Sequence, residues 1–203
     1  MAGFKDFANL TTLDADDIDG YLMGQTIMRF SSDTALVTNL GAGVRTGGMY
    51  AWSDASSTLY SYEGSGIWKP QESFWKTQNA TLSAPTVIPI GNGSLTCRWR
   101  YSGGKVVAEY GFVRGSTTGA GSAGYFINLP VEAYSLNGPK GYGILRRSGG
   151  AEHGLLVVPV SSTSIALMTT NNNARVAFNA PAAVATGDTY TWQVIYEPLN
   201  GIS

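Results

Sequence analysis

The apolar positions of this chain recur mostly at a spacing of two. From about residue 74 onward, short alternating runs of apolar and polar residues are separated by turns rich in Gly, Ser and Asn. A period of two puts successive side chains on opposite faces of a strand. The pattern predicts strands near 74–82, 86–90, 95–101, 105–114, 124–131, 141–147, 154–160, 163–169, 174–179 and 189–196. Gly91-Asn92-Gly93, Ser102-Gly103-Gly104, Asn137-Gly138, Ser148-Gly149-Gly150, Asn171-Asn172-Asn173 and Thr186-Gly187-Asp188 read as the turns between them. Many short strands at this spacing predict a β-sandwich. In the last run, Tyr190, Trp192, Val194 and Tyr196 share one face, while Thr191, Gln193 and Ile195 share the other. The aromatic set is expected to face either the core or a seam between subunits.

The first third reads differently. Asp14 to Asp19 is acidic and precedes an apolar stretch containing Leu22, Met23, Gln25, Met28 and Phe30. Either Asp16 or Asp17 caps a short helix carrying Ile18, Tyr21 and Leu22, or part of the segment is an extended arm that orders on assembly. Residues 32–40 predict a short helix capped by Ser31 or Ser32. A hairpin over 48–52 and 58–63 follows, with Trp52, Tyr60 and Trp68 as the main core of a small module. Pro70 to Glu72 reads as a boundary. The division is therefore an arm at 1–30, a helix-hairpin module at 31–72 and a β head at 73–203. Met28 and Phe30 either pack on the small module or dock onto another subunit. Tyr60, Tyr62 and Trp68 are either core or interface aromatics, since Tyr and Trp suit both. Tyr62 and Trp68 together also resemble a sugar-binding aromatic pair in composition.

Composition narrows the function classes. Charged residues are 13% of the chain, glycines number 26, and net charge is −1. Without a dominant basic patch, a nucleic-acid groove is not expected. No run of 18 apolar residues is present, so no membrane span is expected, and the opening residues lack the apolar core of a secretion signal. Cys97, the single cysteine, lies in an apolar run and reads as a small buried hydrophobe. His153, the single histidine, has no cysteine partner for a zinc site and reads as structural. Glu109, Glu132 and Asp188 are the carboxylates from which a catalytic pair would have to come, and nothing in their spacing pairs them. No catalytic residues, cofactor or metal are expected.

Two resemblances add to this reading. The runs Thr96 to Tyr101, Val107 to Val113, Tyr125 to Pro130, Gly141 to Leu145 and the turn-and-strand Ala183 to Glu197 resemble the C1q/tumour-necrosis-factor-like jelly roll of trimeric globular heads. That likeness implies a two-sheet head whose final strand, Tyr190 to Tyr196, runs beside a trimer axis. No collagen-like stalk precedes it here. Leu22 to Phe30, then Gly48-Met49-Tyr50, Thr58 to Gly64 and Trp68 resemble the opening module of structural proteins of tailed bacteriophages: minor tail, fibre, collar or decoration proteins. The implied function is a homotrimeric phage virion protein, made in the host cytoplasm and released by lysis. It would be attached to tail, collar or capsid partners through Leu22, Met23, Gln25, Met28, Phe30, Tyr60, Tyr62 and Trp68. The alternative is a head that binds a host receptor or surface glycan through loops at 116–122, 137–140 and 171–173.

Overall fold

The computed structural model describes residues 27–39, 48–64, 66–83, 87–119, 124–135, 139–170, 176, 185–199 and 201. Leu22, Met23, Gln25, the 171–173 loop and most of the expected arm lie outside the described residues, as does all of the 174–179 strand but Val176. Among the described residues the chain is mainly β, with one short helix and two sheets.

The smaller sheet has the order β1 (Met28–Phe30), β2 (Tyr50–Ser53), β3 (Thr58–Tyr62), β4 (Trp68–Ser73). β1 runs parallel to β2, so the last residues of the expected arm are a strand of this module. The helix α1 (Asp33–Asn39) starts where the sequence asks it to. Ser32 accepts the Ala35 N–H on its hydroxyl at 3.0 Å and the Leu36 N–H on its carbonyl at 3.0 Å. That is the N-cap arrangement that satisfies otherwise orphaned donors. Leu36, Ala51, Tyr60, Tyr62 and Trp68 form the core, with Met28 and Phe30 packed against it.

Pro70 lies in the middle of β4, and the chain passes from the small sheet to the large one just beyond it, between Ser73 and Lys76. Proline is tolerated in sheets on an edge or at a bulge, and β4 is both. It closes the sheet, and its register with β3 shifts between Leu59 and Tyr60, leaving Gln71 as the extra residue. Gln71 instead donates its side-chain amide to the Ser61 hydroxyl at 2.9 Å.

The larger sheet comprises β5 (Lys76–Gln78), β6 (Leu82–Ser83), β7 (Ser94–Ser102), β8 (Lys105–Val113), β9 (Phe126–Asn128), β10 (Lys140–Arg146), β11 (Glu152–Ser161), β12 (Ser164–Thr169) and β13 (Thr189–Tyr196). Their order is β5-β7-β8-β13-β10-β11-β12-β9-β6, antiparallel throughout. The strands between 94 and 169 fall close to where alternation puts them. The expected 86–90 strand is reduced to a single bridge, Ser83 to Val87.

The expected sandwich takes a different form: the ladder is one continuous, curled sheet. The edge strands β5 and β6 are consecutive in sequence, separated by residues 79–81. Four extended Cα steps span at most about 14 Å, so the chain itself holds the two edges near each other. Hydrogen bonds cross the hollow of the curl. The Tyr110 hydroxyl donates to the Asn128 carbonyl at 2.9 Å, and the Tyr196 hydroxyl to the Val131 carbonyl at 2.8 Å.

Tyr190, Trp192, Val194 and Tyr196 all point into this hollow and are buried, which settles the alternation read from β13 in favour of the core. Trp192 stacks on Tyr110 with centroids 5.0 Å apart and planes 6° from parallel. On the other neighbouring strand Gly143 pairs with Trp192 so closely that an added Cβ would collide with the Trp192 Cα and Cβ and the Thr191 carbonyl. Cys97 is buried in the same core, and burial pushes its thiol up to about 11. It is the inert hydrophobe its context suggests.

Candidate functional site

The two sheets meet along a hydrogen-bonded junction. The Tyr101 N–H donates to the Ser73 hydroxyl at 2.9 Å, the Gly104 N–H to the Gln71 carbonyl at 3.1 Å, and the Gly103 N–H to the Glu72 carboxylate at 2.7 Å. Lys76 donates to Thr58 at 3.0 Å and lies over the rings of Trp99 and Tyr101. Burial lowers the Lys76 pKa, and nearby Asp33 opposes that shift.

Below this junction runs a groove. Its first part is a cavity of about 510 Å³ between β4, the β7–β8 turn and the segment after β13, lined by Lys69, Gln71, Lys105, Tyr134 and Glu197 among others. A second cavity of about 400 Å³ continues it across the start of β10 and shares Lys105, Tyr134 and Glu197. Tyr134 stands between the two with its side chain 66% exposed. The backbone beneath it is fixed: the Tyr134 N–H donates to the Glu197 carbonyl at 2.9 Å, the Leu199 N–H to the Glu132 carbonyl at 2.7 Å, and Ala133 bridges to Pro198. Lys69 is paired with Glu63 at 2.5 Å. Among the described residues no carboxylate pairs with Lys105 or Lys140.

A second exposed feature is the convex face of the large sheet. Tyr142, Ile144, Leu156 and Ile195 are all open to solvent there, Tyr142 at 73%. Tyr142 lies opposite Leu156 on one side and Gln193 on the other. Flanking charges are already matched: Arg98 meets Glu109 at 2.6 Å and Arg146 meets Glu152 at 2.7 Å. Further along, Trp75 carries the guanidinium groups of Arg98 and Arg100 over its ring at 4.7 and 5.0 Å.

The residues singled out from sequence are distributed differently. Tyr60, Tyr62 and Trp68 are core residues of the small module, Trp68 with no exposed surface, so they present nothing to a partner. The Tyr62–Trp68 pair does exist as a ring contact at 5.2 Å, but buried, which removes the sugar-binding reading of it. The start of the 116–122 loop is tied down: Asn92 and Thr117 exchange three hydrogen bonds of 2.8–3.0 Å, and the Thr118 hydroxyl donates to the Ile90 carbonyl at 2.6 Å.

The three carboxylates considered for catalysis have separate partners: Glu109 holds Arg98, Glu132 accepts from Ser162, and Asp188 pairs with Arg147. Nδ1 of His153 is buried without a hydrogen-bond partner among the described residues. Among the described residues no cluster of three or more His, Cys, Asp or Glu is placed to hold a metal ion, and no helix is long and apolar enough to cross a membrane.

The sequence reading places Lys140 in the 137–140 loop of the alternative, ligand-binding reading, but misses Tyr134 and Lys105 beside it. Each sits beside a turn or strand end, and only tertiary packing brings them together. Comparison with protein-family models, with curated proteins and with solved structures finds no match for this chain.

Proposed function

We propose that this chain is a structural protein of a tailed-phage virion, a homotrimer held to tail, collar or capsid partners through its N-terminal region. It would display the curled sheet as a jelly-roll-like head, and would reside in the particle after lysis. The reading is non-enzymatic. The observation that carries it is the apolar convex face of Tyr142, Ile144, Leu156 and Ile195. Contiguous exposed apolar surface on a folded domain marks a contact site. A second copy suits this one, because Arg98 with Glu109 and Arg146 with Glu152 are matched within the chain beside it, while Lys140, opposite Ile195, has no carboxylate partner among the described residues. The jelly-roll likeness is supported by the Gly187-Asp188 turn leading into a last strand at the middle of the sheet.

Light scattering on the purified chain tests the assembly. A mass of three chains at micromolar concentration is expected, and Leu156→Asp should shift it toward one. A stable monomer overturns the trimer.

The second reading is a head that binds a host-surface ligand. The groove around Tyr134 favours it, since a fixed backbone there presents an exposed ring beside two lysines that no carboxylate pairs among the described residues.

A further inference from the structure

We propose that the Tyr134 groove binds an acidic oligosaccharide, the phenol ring serving as stacking platform and Lys105 and Lys140 facing the ligand's carboxylates. The inference rests on the second reading above and supplies its ligand class.

Three features point this way. The first is shape: two cavities of about 510 and 400 Å³ share Lys105, Tyr134 and Glu197 and so form one continuous open groove with Tyr134 in both parts. An open trench suits a chain-like ligand rather than a compact one. The second is the chemistry of the lining. Sites for apolar small molecules are lined mainly by hydrophobic and aromatic groups. This one is mixed: one exposed aromatic ring, with Pro70, Pro198 and Ile195 beside it, among ammonium, amide and carboxylate groups. A pyranose has C–H faces that lie on such a ring and hydroxyls that use amide and carboxylate partners, here Gln71 and Glu197.

The third is charge. Lys105 and Lys140 have no carboxylate of their own among the described residues, so a ligand carboxylate would form charge-assisted hydrogen bonds that none of those residues already makes. A nucleic-acid strand fits less well. It needs a continuous track of cations along its backbone, whereas this groove offers two lysines unmatched among the described residues, Lys69 being already held by Glu63.

The site is also preorganised. Tyr134 is held by the pairing of 132–134 with 197–199, and Lys105 follows the Gly103-Gly104 turn that Glu72 and Gln71 anchor. Rigid presentation lowers the ordering cost of binding.

The test is titration calorimetry of the full chain with three probes: a galacturonic acid tetramer, the same tetramer methyl-esterified, and a short single-stranded DNA. The acidic tetramer should bind, the esterified one at least about tenfold more weakly, and the DNA not at all. Tyr134→Ala and Lys105→Gln should each weaken binding of the acidic tetramer by about tenfold or more, while Tyr134→Phe keeps it within about threefold. Thermal melts of the variants should match the parent, which separates lost binding from lost fold. The proposal is overturned by no binding of either tetramer at millimolar concentration, by equal binding of the two, by preference for DNA, or by an unaffected Tyr134→Ala variant. Failure here leaves the light-scattering mass, and with it the virion-trimer reading, where it stood.

Discussion

The two ends of the curled sheet are built on opposite terms. At one end, past Val113 and before Thr189, polar groups are consumed internally. Asp188 has no exposed surface, pairs with Arg147 at 3.3 Å and accepts the Ser148 and Ala185 N–H groups at 2.9 and 2.8 Å. The Gly187 N–H donates to the Arg114 carbonyl and the Arg114 N–H to the Asp188 carbonyl. The adjacent 89–93 and 115–118 turns lock together through Asn92 and Thr117. At the other end, Lys105, Lys140 and Tyr134 are left facing solvent in a groove. Buried polar groups must be satisfied to be tolerated, so the first end spends its polar chemistry on holding the fold. The second holds its backbone by main-chain pairing and leaves side chains free for a ligand.

The strongest way to erase this contrast is to remove what both ends share. Trp192→Ala takes a buried aromatic from between Tyr110 and Gly143 and should cost about 3–5 kcal/mol. Calorimetric melting should show both ends failing in one transition, and Gln193→Ala, on the outer face, should move the melting temperature far less.

A narrower blow falls on the closed end alone. Asp188→Ala strands the largely buried Arg147 and the Ser148 and Ala185 N–H groups, and losing one partner of a buried pair costs about 3 kcal/mol or more. Chemical denaturation should register that loss while titration with the acidic tetramer, corrected for folded fraction, stays unchanged. Weakened ligand affinity in the folded fraction would mean the ends are coupled.

The smallest effect concerns the seam beside the groove. Tyr60 and Tyr101 are pushed up to about 12, mainly by burial and further by the nearby Asp33 carboxylate. In the unfolded chain a tyrosine ionises near 10. Above that pH the unfolded state releases protons the folded state keeps, so stability is full below about pH 10 and is lost as pH climbs toward 12. Burial raises Tyr110, Tyr190 and Tyr196 as well, so denaturation midpoints measured from pH 8 to 12 should fall across that window and fall slightly less steeply in Tyr60→Phe; an identical slope in that variant would place the Tyr60 hydroxyl in water.

Much of the large sheet was legible because alternation is local: β13 alone reveals its buried face through Tyr190, Trp192, Val194 and Tyr196. The small helix was legible for the same reason, its Ser32 cap being adjacent to the turn it serves. What alternation cannot show is which strand lies beside which, and that is where the sandwich expectation failed. Closing nine strands into one curl depends on β5 and β6 being near each other, a fact of path rather than of periodicity. Pro70 misled by only a few residues, because proline's preference for boundaries and its tolerance on a bulged edge look alike in sequence. The groove was invisible for a plainer reason. Lys105, Tyr134, Lys140 and Glu197 are each unremarkable in their own segments, and only the pairing of 132–134 with 197–199 assembles them.

The placement of β13 between β8 and β10 also orders events in time. Synthesis delivers β8 and β10 long before residues 189–196 exist, so neither of these strands can take its final neighbour on that side until β13 arrives. Until then the nascent head consists of the β7–β8 hairpin on one side and the β10–β11–β12 meander on the other, each with an open hydrogen-bonding edge. Open edges invite pairing with whatever strand is nearest, including one from a neighbouring chain. A head built this way closes only once residues 189–196 have been made, its most aromatic strand entering between two that are already there.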